Sequence, residues 1–317
     1  MEMTQPPNTT GDIASVDARF LRIRVTPRMP NFGAWVEGVD LTREASPEVR
    51  RELRMAWLRY GVLFFRGQPK LTPQQHVALS HVFGAGPYVG NPQFERHKEN
   101  PEVELLIADE KRSSNSDQWH TDISYNDPAP LGTIIQIQEK PPVGGNTAWA
   151  SMRKAYEWLS PPMRACLDEL VAVHAHVNHR RLSWANLTEP TVLIDIIRND
   201  PPVKHPVAMK HPVTGARSLY VNELFTHDIC DMHPVESAAL LAMLHRWARL
   251  PEFQLHHEWQ RNDVAVWDNY QTQHYALYDY FPAYRVNQRV TTRMFEELSD
   301  QFAELRADMA AIEAGAQ

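Results

Sequence analysis

Cysteine is nearly absent from this chain: Cys166 and Cys230 are the only two in 317 residues. A single bridge is the most they can form, and two lone thiols in a chain of this length fit a reducing cytoplasm. Long apolar runs are missing as well, for no stretch approaches the roughly 18–20 residues that a membrane span requires. The opening MEMTQPPNTTGDIAS is polar and lacks the charged start and apolar stretch of a signal peptide, so a cytoplasmic protein is expected. There is no basic excess: 32 Lys+Arg against 39 Asp+Glu leave a net charge of −7, which argues against nucleic acid or a membrane surface as the main partner. Internal repeats and low-complexity tracts are absent too. What remains, 43% hydrophobic and 22% charged residues, is the make-up of an ordinary folded protein. The length allows one domain or two.

Local patterns favour strands. Residues 1–18 read as disordered. Leu21, Ile23 and Val25 alternate with Arg22 and Arg24, the period of a strand with one dry face. Ser46-Pro47 and Thr72-Pro73 each open a helix as cap and first-turn proline; Gly61 ends the first and Gly84 follows the second, which runs to about Phe83. Val62–Phe65 and Val103–Leu106 are short apolar strand candidates. From 133 onward such segments dominate: 133–138, 147–150, 171–177, 207–210, 218–221, 253–259, 264–267 and 285–295, with turn chemistry between them. Two helices interrupt, one after Ser160 and one from Pro234 to about Leu250. Many short strands with occasional helices imply a mainly β domain, a sandwich or barrel with helical insertions, spanning 19–296. The stretch 178–206 reads as a long loop or lid. In the tail, 297–317, Leu298, Phe302, Leu305, Met309 and Ile312 form a 4-3-4-3 apolar seam on a helix. It packs on its own domain or makes a subunit contact, and a homo-oligomer, dimer or tetramer, is expected.

Three stretches have the form His-x-acid: His97–Glu99, His120–Asp122 and His256–Glu258. Chance alone supplies about two in a chain of this composition, so the pattern is weak until context decides. In extended backbone, positions i and i+2 point the same way, so His120 and Asp122 can reach one ion. An imidazole and a carboxylate suit Fe(II), Mn(II) or Zn(II). The candidate third ligand is His274, at a rim position after the buried strand 264–267; a hydrogen-bonded surface histidine is the alternative. Further on, Arg285, Asn287, Arg289, Thr291 and Arg293 occupy one face of a strand, with Arg285 and Arg289 about 13 Å apart. If that face points into a closed barrel, two guanidinium groups line the interior and need anionic partners. If the strand is an edge, they are solvated. A metal needing open sites, beside arginines that want carboxylates, suggests an oxo-acid cosubstrate.

Four blocks carry a specific resemblance: WHTD at 119–122, GGNTAWAS at 144–151, HPVTGARSLYVNELF at 211–225 and WDNYQTQHYALYDYFPAYRVNQR at 267–289. In order and spacing they resemble the Fe(II)/2-oxoglutarate-dependent dioxygenases of the taurine dioxygenase (TauD/TfdA) family, over about 20–295. The resemblance implies a jelly-roll, cupin-like double-stranded β-helix core. It implies that His120, Asp122 and His274 hold Fe(II) as two histidines and one carboxylate. It implies that Thr147 hydrogen-bonds the distal carboxylate of 2-oxoglutarate, that Arg285 salt-bridges it, and that Arg289 grips the substrate's acidic group. O2 is the second cosubstrate, and succinate and CO2 are the coproducts.

For the substrate, Ile123, Tyr125 and Phe225 match pocket-lining positions of the family. Asn91 falls near the place of a sulfonate-binding histidine, and Arg180, beside His179 and Arg181, lies in the expected lid. A small anionic organic substrate is expected: a sulfonate, sulfate ester, aryloxy-alkanoate or other carboxylate. Desaturation by the same iron centre is an alternative outcome. A zinc metallohydrolase, which would have no need for Thr147 and Arg285 in register, and a non-catalytic anion-binding barrel are alternatives of another class.

Overall fold

The computed structural model describes residues 16–89, 95–112, 117–176, 198, 201–295 and 300–314. Both expected helix starts form. Ser46 caps α1 (Pro47–Tyr60) by accepting from the Val49 amide, and Thr72 and Gln75 make a reciprocal capping box on α2 (Pro73–Phe83). Each satisfies amide donors that the first helical turn leaves without partners. The other helices are α3 (Met152–Glu157), α4 (Pro161–Leu167), α5 (Pro234–Ala248) and α6 (Asp300–Ala314).

Sixteen strands form among the described residues. The first eight are β1 (Arg24–Met29), β2 (Phe32–Glu37), β3 (Val62–Phe65), β4 (Glu95–Arg96), β5 (Glu104–Ala108), β6 (Gly132–Glu139), β7 (Thr147–Ser151) and β8 (Val171–His174). The rest are β9 (Val203–Pro206), β10 (Ala208–Lys210), β11 (Arg217–Leu219), β12 (Thr226–Ile229), β13 (Gln254–His257), β14 (Val264–Asp268), β15 (Thr272–Ala276) and β16 (Arg285–Thr292). The large sheet runs β1-β2-β3-β14-β6-β16-β5-β4, and a smaller one runs β13-β7-β15. Two more small sheets, β12-β8-β9 and β10-β11, complete the set.

The central strands β3 and β14 of the large sheet are dry on both faces, which is why Val62–Phe65 and Val264–Trp267 read as unbroken apolar runs. Leu63, Phe65, Ile134, Val264 and Val266 pack in a core with α1, α2 and α6. Their neighbours Val62, Phe64, Ile135, Ile137, Ala265 and Trp267 point the other way, toward Trp149 and Leu255 of the small sheet. Trp149 and Trp267 meet across the gap with ring centroids 5.7 Å apart. This two-sheet core is the jelly roll. Thr292 of β16 donates to Ser80 O of α2, so the even residues of that strand face the helices and the odd ones face the interior.

The structure bears on several of these readings. The stretch expected to be disordered, 1–18, lies mostly outside the described residues, but Asp17 is buried and accepts from the Tyr60 hydroxyl at 2.7 Å. Most of 178–206 also lies outside them, yet its end is β9, paired with β8 in register His205↔Ala172. β16 is no edge strand, because β5 and β6 flank it. Leu305 and Met309 of α6 are buried in the core that holds Leu53 and Leu58 of α1, and Arg51 pairs with Asp308. The tail seam therefore packs on its own chain where it is described; Leu298 lies outside the described residues, as do the side chains of Phe302 and Ile312.

Candidate active site

His274 lies on β15, and the backbone of His120 pairs with it: His120 N donates to His274 O at 3.0 Å, and His274 N to His120 O at 2.8 Å. A directly opposed pair puts two side chains side by side, and the imidazole centroids stand 4.1 Å apart. Thr121 turns away, its hydroxyl donating to Thr272 O at 3.0 Å, and Asp122 comes back to the histidine side. The carboxylate Oδ1 of Asp122 lies 3.6 Å from His120 Nε2 and 3.9 Å from His274 Nε2. One ligand atom from each of the three falls within 4.8 Å of the others, and all three residues are buried. No other such group of three occurs among the described residues. His97 and His256 join none, and His257 is instead stacked on Phe64 at 4.4 Å.

The surroundings aim these atoms. His120 Nδ1 lies 2.7 Å from Gln118 O, which fixes the proton on that nitrogen and leaves the Nε2 lone pair for a cation. Thr133 donates to Asp122 Oδ2 at 2.8 Å. Ile123, next in the chain, has φ 53°, a left-handed conformation unusual for a β-branched residue, and turns the chain away directly after the carboxylate. Burial pushes the Asp122 carboxyl up, but the Arg289 guanidinium and the two imidazoles outweigh it and hold it well below the usual carboxylate range. Burial and the neighbouring His120 push His274 down to about 3, so it is a neutral ligand near pH 7. Two imidazoles and one carboxylate, with no fourth ligand in the group among the described residues, fit a ferrous ion that keeps open positions.

His274 owes its place to a clasp between two of the sequence blocks. His211 Nδ1 accepts from the Val213 and Thr214 amides, so its Nε2 carries the proton and donates to Asp268 Oδ2 at 2.9 Å. Gln271 Nε2 donates to the same oxygen and Tyr270 N to Oδ1, both at 2.8 Å. The HPVTG turn thus holds the β14–β15 corner that delivers His274. Asn222 works similarly: it accepts from Phe225 N and donates to Ser124 Oγ, placing the Phe225 ring 4.8 Å from Tyr125 and 6.2 Å from His120. Tyr125 stacks on His176 at 4.2 Å. Phe225 thus stands between Tyr125 and His120, and Ile123, next after Asp122, is buried. Asn91 and Arg180 lie outside the described residues.

The two interior arginines differ. Arg285 is buried, sits over the Tyr280 ring at 5.5 Å, and has no carboxylate within ion-pair distance among the described residues. Burial pushes its pKa down, which Tyr280 and Asp279 only partly offset. Thr147 is buried at the start of β7 and accepts from Trp259 Nε1 at 3.0 Å. Tyr280 links the two regions, since a Cβ at Gly145 would stand 3.3 Å from its ring. Arg289 is already occupied: Nε and Nη2 each lie 2.7 Å from Glu104 Oε2, and Nη1 lies 3.3 Å from Asp122 Oδ1. The resemblance implies a substrate anion at Arg289, and nothing in the sequence pattern points to Glu104 or Thr133 as its neighbours. Glu104 had left a trace, as a charged residue inside an apolar run.

Residues 24–294 match the model of the family described as taurine catabolism dioxygenase TauD, TfdA. An alkylsulfatase of Acinetobacter baylyi is 30% identical over 268 residues, 82% of this chain and 81% of that protein. An alpha-ketoglutarate-dependent sulfate ester dioxygenase of Pseudomonas putida is 30% identical, covering 86% of this chain and 89% of its own. Among solved structures, a taurine dioxygenase from Burkholderia xenovorans superposes with a TM-score of 0.73 at 36% identity, over 86% of this chain and 89% of that one. AAD-2, solved in complex with Mn(II) and N-oxalylglycine, gives 0.72 at 28% identity, over 87% and 99%. The chain belongs to the TauD/TfdA family and is an Fe(II)- and 2-oxoglutarate-dependent dioxygenase.

Proposed function

We propose that the protein oxidises a C–H bond of a small anionic organic substrate, with His120, Asp122 and His274 holding the iron. The observation that carries this reading is the convergence of those three buried ligand atoms within 4.8 Å, with His274 on the small sheet and Asp122 against Arg289 of the large one, whose Arg285 has no carboxylate partner among the described residues. Bound iron, with 2-oxoglutarate and O2, supplies the oxidant, and 2-oxoglutarate leaves as succinate and CO2. Arg285 offers a planar fork to the distal carboxylate of 2-oxoglutarate, and Thr147 adds a hydroxyl. Ile123, Tyr125 and Phe225 form an apolar wall that excludes water and places the target carbon. Relatives named for sulfate esters, for sulfonates and for 2,4-dichlorophenoxyacetate support the substrate class.

The test is aerobic incubation of iron-loaded protein with ascorbate, 2-oxoglutarate and a panel of alkyl sulfates, sulfonates and aryloxy acids. The reading expects succinate formation that rises with one class in the panel; no succinate with any member contradicts it. Cytoplasmic residence and a homo-oligomer belong to the same proposal. Two cysteines left as free thiols support the first, and light scattering decides the second. No helix among the described residues is long and apolar enough to cross a membrane.

A further inference from the structure

Glu104 faces Arg289 across the β5–β16 pairing, where the two residues are directly opposed in register. Both side chains are about 5% exposed, so the contact is an interior ion pair and not a rim one. Glu104 Oε2 receives two edges of the guanidinium at 2.7 Å, and Asp122 takes a third contact. Glu104 Oε1 also faces the partly exposed Arg96 at 3.8 Å, a looser contact toward the outside. Taken together, the interior groups Asp122, Glu104, Arg285 and Arg289 carry two negative and two positive charges, and all are buried. A ferrous ion and a 2-oxoglutarate dianion add two of each. The loaded site is therefore balanced before any substrate enters.

An acidic head group set against Arg289 would bring a third anion to a guanidinium that two carboxylates already neutralise. A buried charge without its own counter-ion is costly, and an ion pair with good geometry is costly to break. We propose that Glu104 is a specificity-determining residue: it holds Arg289 as an internal ion pair, so that the arginine confers no preference for an acidic head group. The substrate's own acid is then read elsewhere on the pocket wall. This deepens the dioxygenase reading and rests on it. Substrates whose acid lies at a distance from the oxidised carbon are favoured over those that present it beside Asp122.

Calorimetric affinities of the full chain loaded with Mn(II) and 2-oxoglutarate, for hexyl sulfate and for hexan-1-ol, test the proposal. Glu104→Gln frees the arginine from one carboxylate and is expected to raise the preference for the sulfate over the alcohol about ten-fold or more. The double variant Glu104→Gln with Arg289→Gln removes both charges of a pair that is already neutral, and is expected to keep the wild-type preference within about three-fold. An unchanged preference in the single variant overturns the proposal. So does loss of sulfate preference in the double variant, which would mean that Arg289 was receiving the anion all along. If the single variant fails to fold, the double variant decides. Affinity for 2-oxoglutarate, measured in the same samples, reports on Arg285; its absence in the wild type would overturn the dioxygenase reading, while the sulfate preference would still judge Glu104.

Discussion

Arg285 and Arg289 stand four residues apart on the inward face of β16, and they differ in their partners: Glu104 holds Arg289 at 2.7 Å, whereas no carboxylate among the described residues comes within ion-pair distance of Arg285. A buried cation in that condition is poised for an anion from outside. Arg285→Gln is expected to weaken 2-oxoglutarate binding about 10–100-fold while Mn(II) affinity stays nearly constant. The variant without ligand should be no less stable, since an unpaired buried charge has been removed, and the rise in Tm on adding 2-oxoglutarate should vanish. Unchanged 2-oxoglutarate affinity would show that the arginine has been given the wrong role.

The metal ligands and their supports separate by degree. His274→Ala removes one ligand but leaves the backbone pairing with His120, which uses main-chain atoms only. It is expected to fold and to lose Mn(II) binding, read by electron paramagnetic resonance. Thr133→Val keeps the shape but withdraws the hydroxyl from Asp122 Oδ2, and such outer supports are worth about 10–100-fold in metal affinity. Equal metal affinity in wild type and Thr133→Val would mean that Asp122 is held by packing alone.

Two buried histidines outside the ligand group make stability depend on pH. His76 is pushed down to about 4 by burial, which outweighs its hydrogen bond to Ile134 O. His174 is pushed down to about 3 by burial, with the neighbouring His205 adding to it. Below the unfolded value of 6.5 the unfolded chain takes up protons that the native state refuses. Their contribution is therefore whole above 6.5 and is lost as the pH falls from 6.5 toward the folded values. Each histidine should remove on the order of 2 kcal/mol between pH 7.5 and pH 5. Urea unfolding of His76→Gln at those two pH values should show the smaller difference; an equal difference would contradict a neutral buried His76.

Leu305 tests the tail. Leu305→Ala should cost about 2–5 kcal/mol, the usual cost of truncating a buried leucine, without changing the oligomeric state. A dissociated oligomer with unchanged monomer stability would place the seam between subunits instead.

Much of this was legible from the sequence for definite reasons. Ser46-Pro47 and Thr72-Pro73 act locally, so both helix starts were readable. β14 reads as an unbroken apolar run because both of its faces meet a core, and β16 alternates because its odd residues line the interior. His120, Asp122 and His274 were found through spacing and resemblance, and they converge. β2, β15 and α3 were missed. The Asp268-Asn269 turn hides β15, and the clasp from His211 that makes it a strand comes from a distant block. Glu104 was passed over because its meaning depends on register: only the pairing Arg289↔Glu104 shows why a charge sits inside the run Val103–Leu106. Propensity and pattern carry no information about which residue of one strand opposes which of another.

The most direct test is an anaerobic crystal structure of the full chain with Fe(II) and 2-oxoglutarate. It should show iron bonded to His120 Nε2, Asp122 Oδ1 and His274 Nε2, and the distal carboxylate of 2-oxoglutarate against Arg285 and Thr147. Iron at another set of side chains, or 2-oxoglutarate turned away from Arg285, would contradict the account.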